Sequence, residues 1–315
     1  MATPRSRRQG RFFYGGQAVP EGVMMRGRRE FAVAVRAPDG TIRLREGALT
    51  AGLYRDRFWR LPFVRGLALL GEQLHLGMRC LFWAAQVATG QEERELTRAK
   101  IAIAVAFGAG VSVLLFLGLP LLGAGLAGQH AGSFGFVVLE GLLRVALVLG
   151  YLLLMGRLRD VRRLFQYHGA EHKAINALEA GRPLEPAAAR AASRLHPRCG
   201  TGFLLVVLVI SLVLFSFVAL AHPGWAGTVV SRIVGIPIVA GISYECIRLL
   251  ASHAQHPIAR VLLRPVLWTQ LLTTREPDDS MLEVAIRALR AVMAADQEPL
   301  PAAVTPTAVG RAEPA

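Results

Sequence analysis

Four stretches of this chain are apolar almost without a break: about Ile101 to Leu122, Phe134 to Met155, Gly202 to Ala221 and Val229 to Leu250. Each is close to the roughly 20 residues that a helix needs to cross the hydrocarbon of a bilayer. Gly118, Pro120, Gly235 and Pro237 fall inside them and mark candidate kinks, which spanning helices tolerate. Upstream the pattern changes. Phe31 to Arg36 and Thr41 to Arg45 flank Ala37-Pro38-Asp39-Gly40, which predicts a β-hairpin turning at Asp-Gly. Leu61 to Ala88 is apolar but broken by Arg65, Glu72, Gln73, His75 and Arg79. That pattern predicts helices lying on the membrane or on the bundle, with a re-entrant segment as the alternative. Beyond the spans, Ser280 followed by Glu283 predicts a capping box for a helix to about Ala294. Its stripe of Met281, Val284, Ala285, Ala288 and Leu289 predicts a docking face.

The fold expected is mainly α: a polytopic membrane protein with about four transmembrane helices, a small cytoplasmic N-terminal β-hairpin and peripheral helices. The segments are a disordered basic N-terminus over 1–11 and a cytoplasmic or interfacial region over 12–100, holding a glycine-rich loop and the hairpin. A four-span domain over 101–255 carries a cytoplasmic loop over 156–201. C-terminal helices follow over 256–298, then a Pro/Ala-rich tail over 299–315 that is expected to be disordered.

Charge orients the spans. The chain is 53% apolar yet carries a formal charge of +14. Gly123 to Ser133 and His222 to Thr228 contain no Lys or Arg, whereas Arg157 to Arg198 contains nine. By the positive-inside rule, both termini and the middle loop are expected in the cytoplasm, with the protein in the cytoplasmic (inner) membrane. Anionic lipid is then the natural partner, alongside a second copy or another membrane protein. Nucleic acid is disfavoured, because the Arg residues cluster at the ends of apolar segments without interleaved aromatics. Cys80, Cys199 and Cys246 form no C-x-x-C pair and suit a reducing compartment. No apolar h-region follows the basic N-terminus, so the spans themselves are expected to direct insertion.

The candidate chemistry lies in the basic middle loop. His168-Gly169-Ala170-Glu171-His172 reads H-x-x-E-H. On a helix His168 and His172 share a face and can grip one metal ion, while Glu171 can activate a water on it. The bland alternative is a pair of interfacial histidines, and Gly169 leaves a helix break between them possible. His196 and Cys199, three apart before the third span, are zinc-compatible donors; they equally suit a turn set by Pro197 and Gly200. Glu245, near the end of the fourth span, is costly at membrane depth and is either functional or paired with Arg248. Glu140 and Arg144 read as a structural pair. Glu21 sits in a glycine-rich stretch that lacks the ending of a phosphate loop.

Gly15 to Gly27 (G-G-Q-A-V-P-E-G-V-M-M-R-G), Tyr167 to Lys173 (Y-H-G-A-E-H-K), His196 to Thr201 (H-P-R-C-G-T), Tyr244-Glu245 and Thr273 to Pro277 (T-T-R-E-P) resemble the YqhQ-like family. That family consists of polytopic membrane proteins of unknown function, and the similarity runs from about Tyr14 to Ala291. It is described as one of predicted metal-dependent enzymes. The resemblance implies Glu21, His168, Glu171, His172, His196, Cys199 and Glu245 as candidate site residues, with no departure at these positions. Two functions are therefore expected in competition. The first is a metal-dependent hydrolytic enzyme at the cytoplasmic membrane face. In it His168 and His172 hold a divalent metal, zinc before manganese or iron, Glu245, Glu21 or His196 is the third ligand, and Glu171 is the base. The second is a non-catalytic scaffold or assembly factor built on the same polar network. A transporter fits least, because the ionisable residues gather at one face.

Overall fold

The computed structural model describes residues 14–49, 58–91, 98–221 and 223–297; the segments 1–11 and 299–315 lie outside the described residues. A four-stranded antiparallel sheet comes first: β1 (Gly15–Val19), β2 (Gly22–Arg26), β3 (Glu30–Arg36) and β4 (Ile42–Ala48), paired in chain order. Ten α-helices follow among the described residues. They are α1 (Val64–Ala88), α2 (Arg98–Val113), α3 (Leu119–Leu126), α4 (Phe134–Met155), α5 (Arg159–Glu179), α6 (Pro186–Arg190), α7 (Gly200–Ala219), α8 (Gly224–Ser252), α9 (Pro257–Thr273) and α10 (Asp279–Gln297). Four helical stretches are long and apolar enough to cross a membrane: Ala99–Leu126, Phe134–Met155, Gly200–Ala219 and Gly224–Ser252. The chain is a mainly α polytopic membrane protein.

The expected hairpin is β3–β4. Gly40, at φ +82°, supplies the left-handed residue of its turn, and Asp39 accepts from the Thr41 amide at 2.9 Å. The glycine-rich stretch before it, expected to be a loop, is a second hairpin instead. Gly16 pairs with Met25 and Val19 with Gly22, around Pro20 and Glu21. The reason lies in burial. Val23, Met25, Ala32 and Ala34 pack under α5 and α10, while Met24, Val33 and Val35 pack on Leu76, Cys80, Ala84 and Val87 of α1. A sheet covered on both faces reads as continuous apolar runs without alternation. Helix α10 uses its predicted stripe, with Met281, Val284, Ala285, Ala288 and Leu289 all buried. Its cap is corrected by two residues: Asp278 accepts from the Met281 amide at 3.0 Å, and Glu283 turns away to Arg36 at 2.8 Å.

The broken apolar segment is one 25-residue helix, α1, whose charges are docking points. Arg65 clasps Glu245 on α8, and Glu72 receives Arg26 of β2 at 2.6 Å. Gly66 lies against the Tyr244 ring, so the sheet layer and the membrane bundle meet along this helix.

Inside the bundle, Glu140 pairs with Arg144, as expected, but also with Arg232 of α8, which is 2% exposed. Arg144 donates its Nε to the Phe116 carbonyl at 2.9 Å. That carbonyl stands four residues before Pro120, which has no N–H to offer it, and it falls in a π-helical turn at Leu114–Gly118. The π-helical turn before Pro120 thus leaves an acceptor that a guanidinium fills. Arg232 also lies over the Phe215 ring, 4.0 Å from its centroid.

Candidate functional site

Helix α5 is continuous through Gly169, so the break that its glycine left open does not occur. Gly169 is there for close approach: a Cβ at this position would overlap the Arg275 carbonyl of the strap between α9 and α10. One turn apart, His168 and His172 set their ring centroids 4.5 Å from each other. From Gly169 to Ile175 every residue of α5 is buried, charged ones included. The buried charges are therefore partnered. The Lys173 ammonium donates to the Arg190 and Ala192 carbonyls at 2.8 and 2.9 Å and pairs with Glu276 at 3.0 Å.

Both histidines are oriented by backbone carbonyls. His168 Nδ1 lies 2.8 Å from the Thr273 oxygen, and His172 Nδ1 lies 2.6 Å from the Arg194 oxygen. A carbonyl only accepts, so each Nδ1 carries its hydrogen and, in the neutral ring, each Nε2 is left with a free lone pair. His168 Nε2 meets Cys199 Sγ at 3.2 Å. His168, His172 and Cys199 each offer a ligand atom within 4.8 Å of the other two. A tetrahedral zinc site spaces its donors about 3.3–3.6 Å apart, so the cluster is near ligand spacing. Cys199 is the N-cap of α7, where the helix dipole favours negative charge, and Thr201 Oγ1 contacts its sulfur at 3.1 Å.

Glu171 enters the same cavity, of about 740 Å³, between α1, α5, the β1 strand and the start of α7. Burial pushes its carboxyl up to about 7, against the opposing pull of His168 and of the Gly16 amide that donates to it. A Cβ on Gly16 would fall 3.0 Å from Glu171 Cγ and 2.5 Å from the Met24 oxygen, so glycine lets the strand backbone reach the carboxylate.

Residues 61–295 match the model of a family described as protein of unknown function, DUF1385. The chain belongs to this family. It is 32% identical over 297 residues to the uncharacterized protein YqhQ of Bacillus subtilis (strain 168), covering 89% of this chain and 92% of that protein. No solved structure matches the chain. The DUF1385 region contains His168, Glu171, His172 and Cys199, while the sheet and its Gly16 precede it.

Of the other residues singled out in this DUF1385 chain, Glu21 and Glu245 are engaged elsewhere, while His196 lines the same cavity outside the cluster of three. Glu21, at φ +52° in the β1–β2 turn, is held by Arg163 of α5 at 2.6 Å and approached by the Tyr167 hydroxyl at 3.3 Å. Glu245 is bound by Arg65 at 2.7 Å and by the Phe63 amide at 3.2 Å, so its hydrogen-bonded partner is Arg65, with Arg248 acting on it through charge alone. His196 stands behind His172, ring centroids 5.7 Å apart, with its Nε2 receiving Arg198 at 3.2 Å. Burial, first, holds its pKa below the ordinary histidine value. The supporting groups carry no sequence signal of their own except the T-T-R-E-P motif, which supplies Thr273. Gln270 has none at all. It exchanges two hydrogen bonds with the His196 backbone, at 2.9 and 2.8 Å, and so fixes the segment that delivers Cys199.

Proposed function

We propose that this DUF1385 protein is a metal-dependent hydrolytic enzyme working at the cytoplasmic face of the membrane. His168, His172 and Cys199 hold one divalent cation, and Glu171 is the general base. The observation that carries the reading is the pair of Nδ1 contacts to the Thr273 and Arg194 carbonyls, which leaves both Nε2 lone pairs for one centre beside a cysteine. Imidazole with thiolate favours zinc over manganese. The ion would supply Lewis acidity and lower the pKa of water at an open position. Glu171, buried and anchored by the Gly16 amide, takes the proton and passes it to the leaving group.

The test is turnover of metal-loaded, full-length protein on a panel of phospholipids and membrane peptides. Glu171→Gln is expected to keep its metal and lose about 10²–10⁴ of the rate, the usual worth of a general base. Equal turnover in the variant removes Glu171 from this role. A wild type without metal leaves the scaffold reading, in which the same hydrogen bonds serve only to lock α5 to the strap and to α7.

The cytoplasmic placement rests on the nine basic residues between Arg157 and Arg198 against none at Gly123 to Ser133. A cysteine at His130, exposed in the first such loop, should react with an impermeant maleimide on intact cells; one at Arg182, also exposed, should react only after permeabilisation. The reverse pattern puts the site outside the cell.

A further inference from the structure

The cavity has an uneven lining. Arg26, Arg28 and Arg198 are among its lining residues, and Glu171 is the one acidic residue on the lining among the described residues. Glu72 and Glu179, which grip Arg26 and Arg198, are not on the lining, nor is Asp296, which accepts from the Arg28 amide at 3.1 Å. The lining also includes an apolar surface, Leu69 and Leu70 of α1 and Tyr244 of α8, next to Gln73. Along α1, Leu67 and Leu74 continue this apolar surface outwards and are exposed. The level in the fold matters too. Gly200, on the lining, is the first residue of the 20-residue span α7, and Tyr244 lies about two turns before the end of the span α8. The cavity therefore sits where spanning helices end, at the depth of lipid headgroups.

Arginine forks and the amides of a helix N-terminus are the groups that recognise phosphate, and Arg suits its planar, bidentate geometry better than Lys does. An apolar wall leading out of such a cavity at headgroup depth suits acyl chains. We propose that the cavity binds a phosphate-bearing amphiphile, a phospholipid of the surrounding bilayer. Its phosphate lies by Arg28, Arg198 and the α7 N-terminus, and its chains leave past Leu69, Leu70 and Tyr244. The proposal rests on the enzyme reading for its chemistry, since it names the substrate class of that site. As a binding statement it stands on the lining alone.

The test is calorimetric titration of full-length, detergent-purified protein, chelator-treated and zinc-loaded, with dihexanoyl phosphatidic acid, inorganic phosphate and hexanoate. Phosphatidic acid should bind at least about tenfold more tightly than inorganic phosphate, from the burial of its chains. It should also bind more tightly than hexanoate. Arg28→Gln should weaken phosphatidic acid by about tenfold, the worth of a charge-assisted hydrogen bond. Leu70→Asn should bring phosphatidic acid down towards inorganic phosphate while leaving phosphate itself unchanged. Both variants are first checked for the wild-type unfolding temperature. Inorganic phosphate binding as tightly as phosphatidic acid overturns the proposal in favour of a soluble phosphate compound. Hexanoate doing so overturns it in favour of a carboxylate, and unchanged affinity in Arg28→Gln overturns the placement of the headgroup. Metal content measured on the same samples keeps the two readings apart. Lipid bound by a protein that takes up no metal refutes only the enzyme, and metal without lipid refutes only this inference.

Discussion

Glu140→Ala is expected to destabilise the protein by about 3–5 kcal/mol, the cost of removing one partner from a buried ion pair. The size follows from the stoichiometry. Glu140 accepts from Arg144 and, through Nε at 3.0 and 3.1 Å, from Arg232, so one carboxylate compensates two guanidinium groups. Without it both cations keep, among the described residues, only neutral partners: the Phe116 carbonyl, the Ser231 hydroxyl and the face of Phe215. Arg232→Met is expected to cost less than half as much. It leaves Glu140 and Arg144 as a neutral pair and fills the space with an apolar chain. Unfolding of the purified protein in detergent, followed by circular dichroism, measures both. Equal losses in the two variants would contradict the assignment of Glu140 as the shared counter-charge.

The second large effect concerns the cluster on α5. If His168, His172 and Cys199 bind zinc only when folded, free zinc at a thousand times its Kd should stabilise the wild type by about 4 kcal/mol. His168→Ala, His172→Ala and Cys199→Ala should each lose most of that response. Glu21→Gln and Glu245→Gln should retain it, because those carboxylates are held by Arg163 and Arg65 away from the cluster. The measurement is the unfolding temperature across a zinc titration in a metal buffer. A zinc response that survives in all three ligand variants places the ion elsewhere.

Much of the architecture is legible in the sequence because the membrane imposes a simple pattern. Uninterrupted apolar runs locate all four spans to within a few residues, since a spanning helix has little latitude in composition. The Asp39-Gly40 turn is legible because only a few residue types take its geometry. The first hairpin is not. Gly15, Gly16 and Gly22 are glycines of strands that carry no alternating pattern, because a two-sided core removes the alternation that announces a strand. Helix α1 is legible only as helical, because its polar positions answer to partners far away in sequence, Arg65 to Glu245 and Glu72 to Arg26. Arg232 goes unannounced in the fourth span for the same reason: its carboxylate is 92 residues away.

At the candidate site, the i, i+4 spacing alone puts His168 and His172 on one helical face. The choice among Glu21, His196, Cys199 and Glu245 as their neighbour depends on how α7 and α8 meet α5, which no local pattern encodes. Cys199 arrives beside His168 across 31 residues because Gln270 and the Arg194 carbonyl fix the intervening turn. The carbonyls that set both tautomers are backbone atoms and carry no residue signature at all.

The central claim is that one ion sits between His168, His172 and Cys199. Metal analysis of the full-length protein, purified in detergent without added metal or chelator and paired with X-ray absorption at the metal edge, tests it most directly. The account predicts about one zinc per chain with mixed nitrogen and sulfur ligation, and the sulfur contribution should be absent from Cys199→Ser. A wild type with no bound metal, or one whose metal shows only oxygen and nitrogen neighbours and is unchanged by Cys199→Ser, would contradict it.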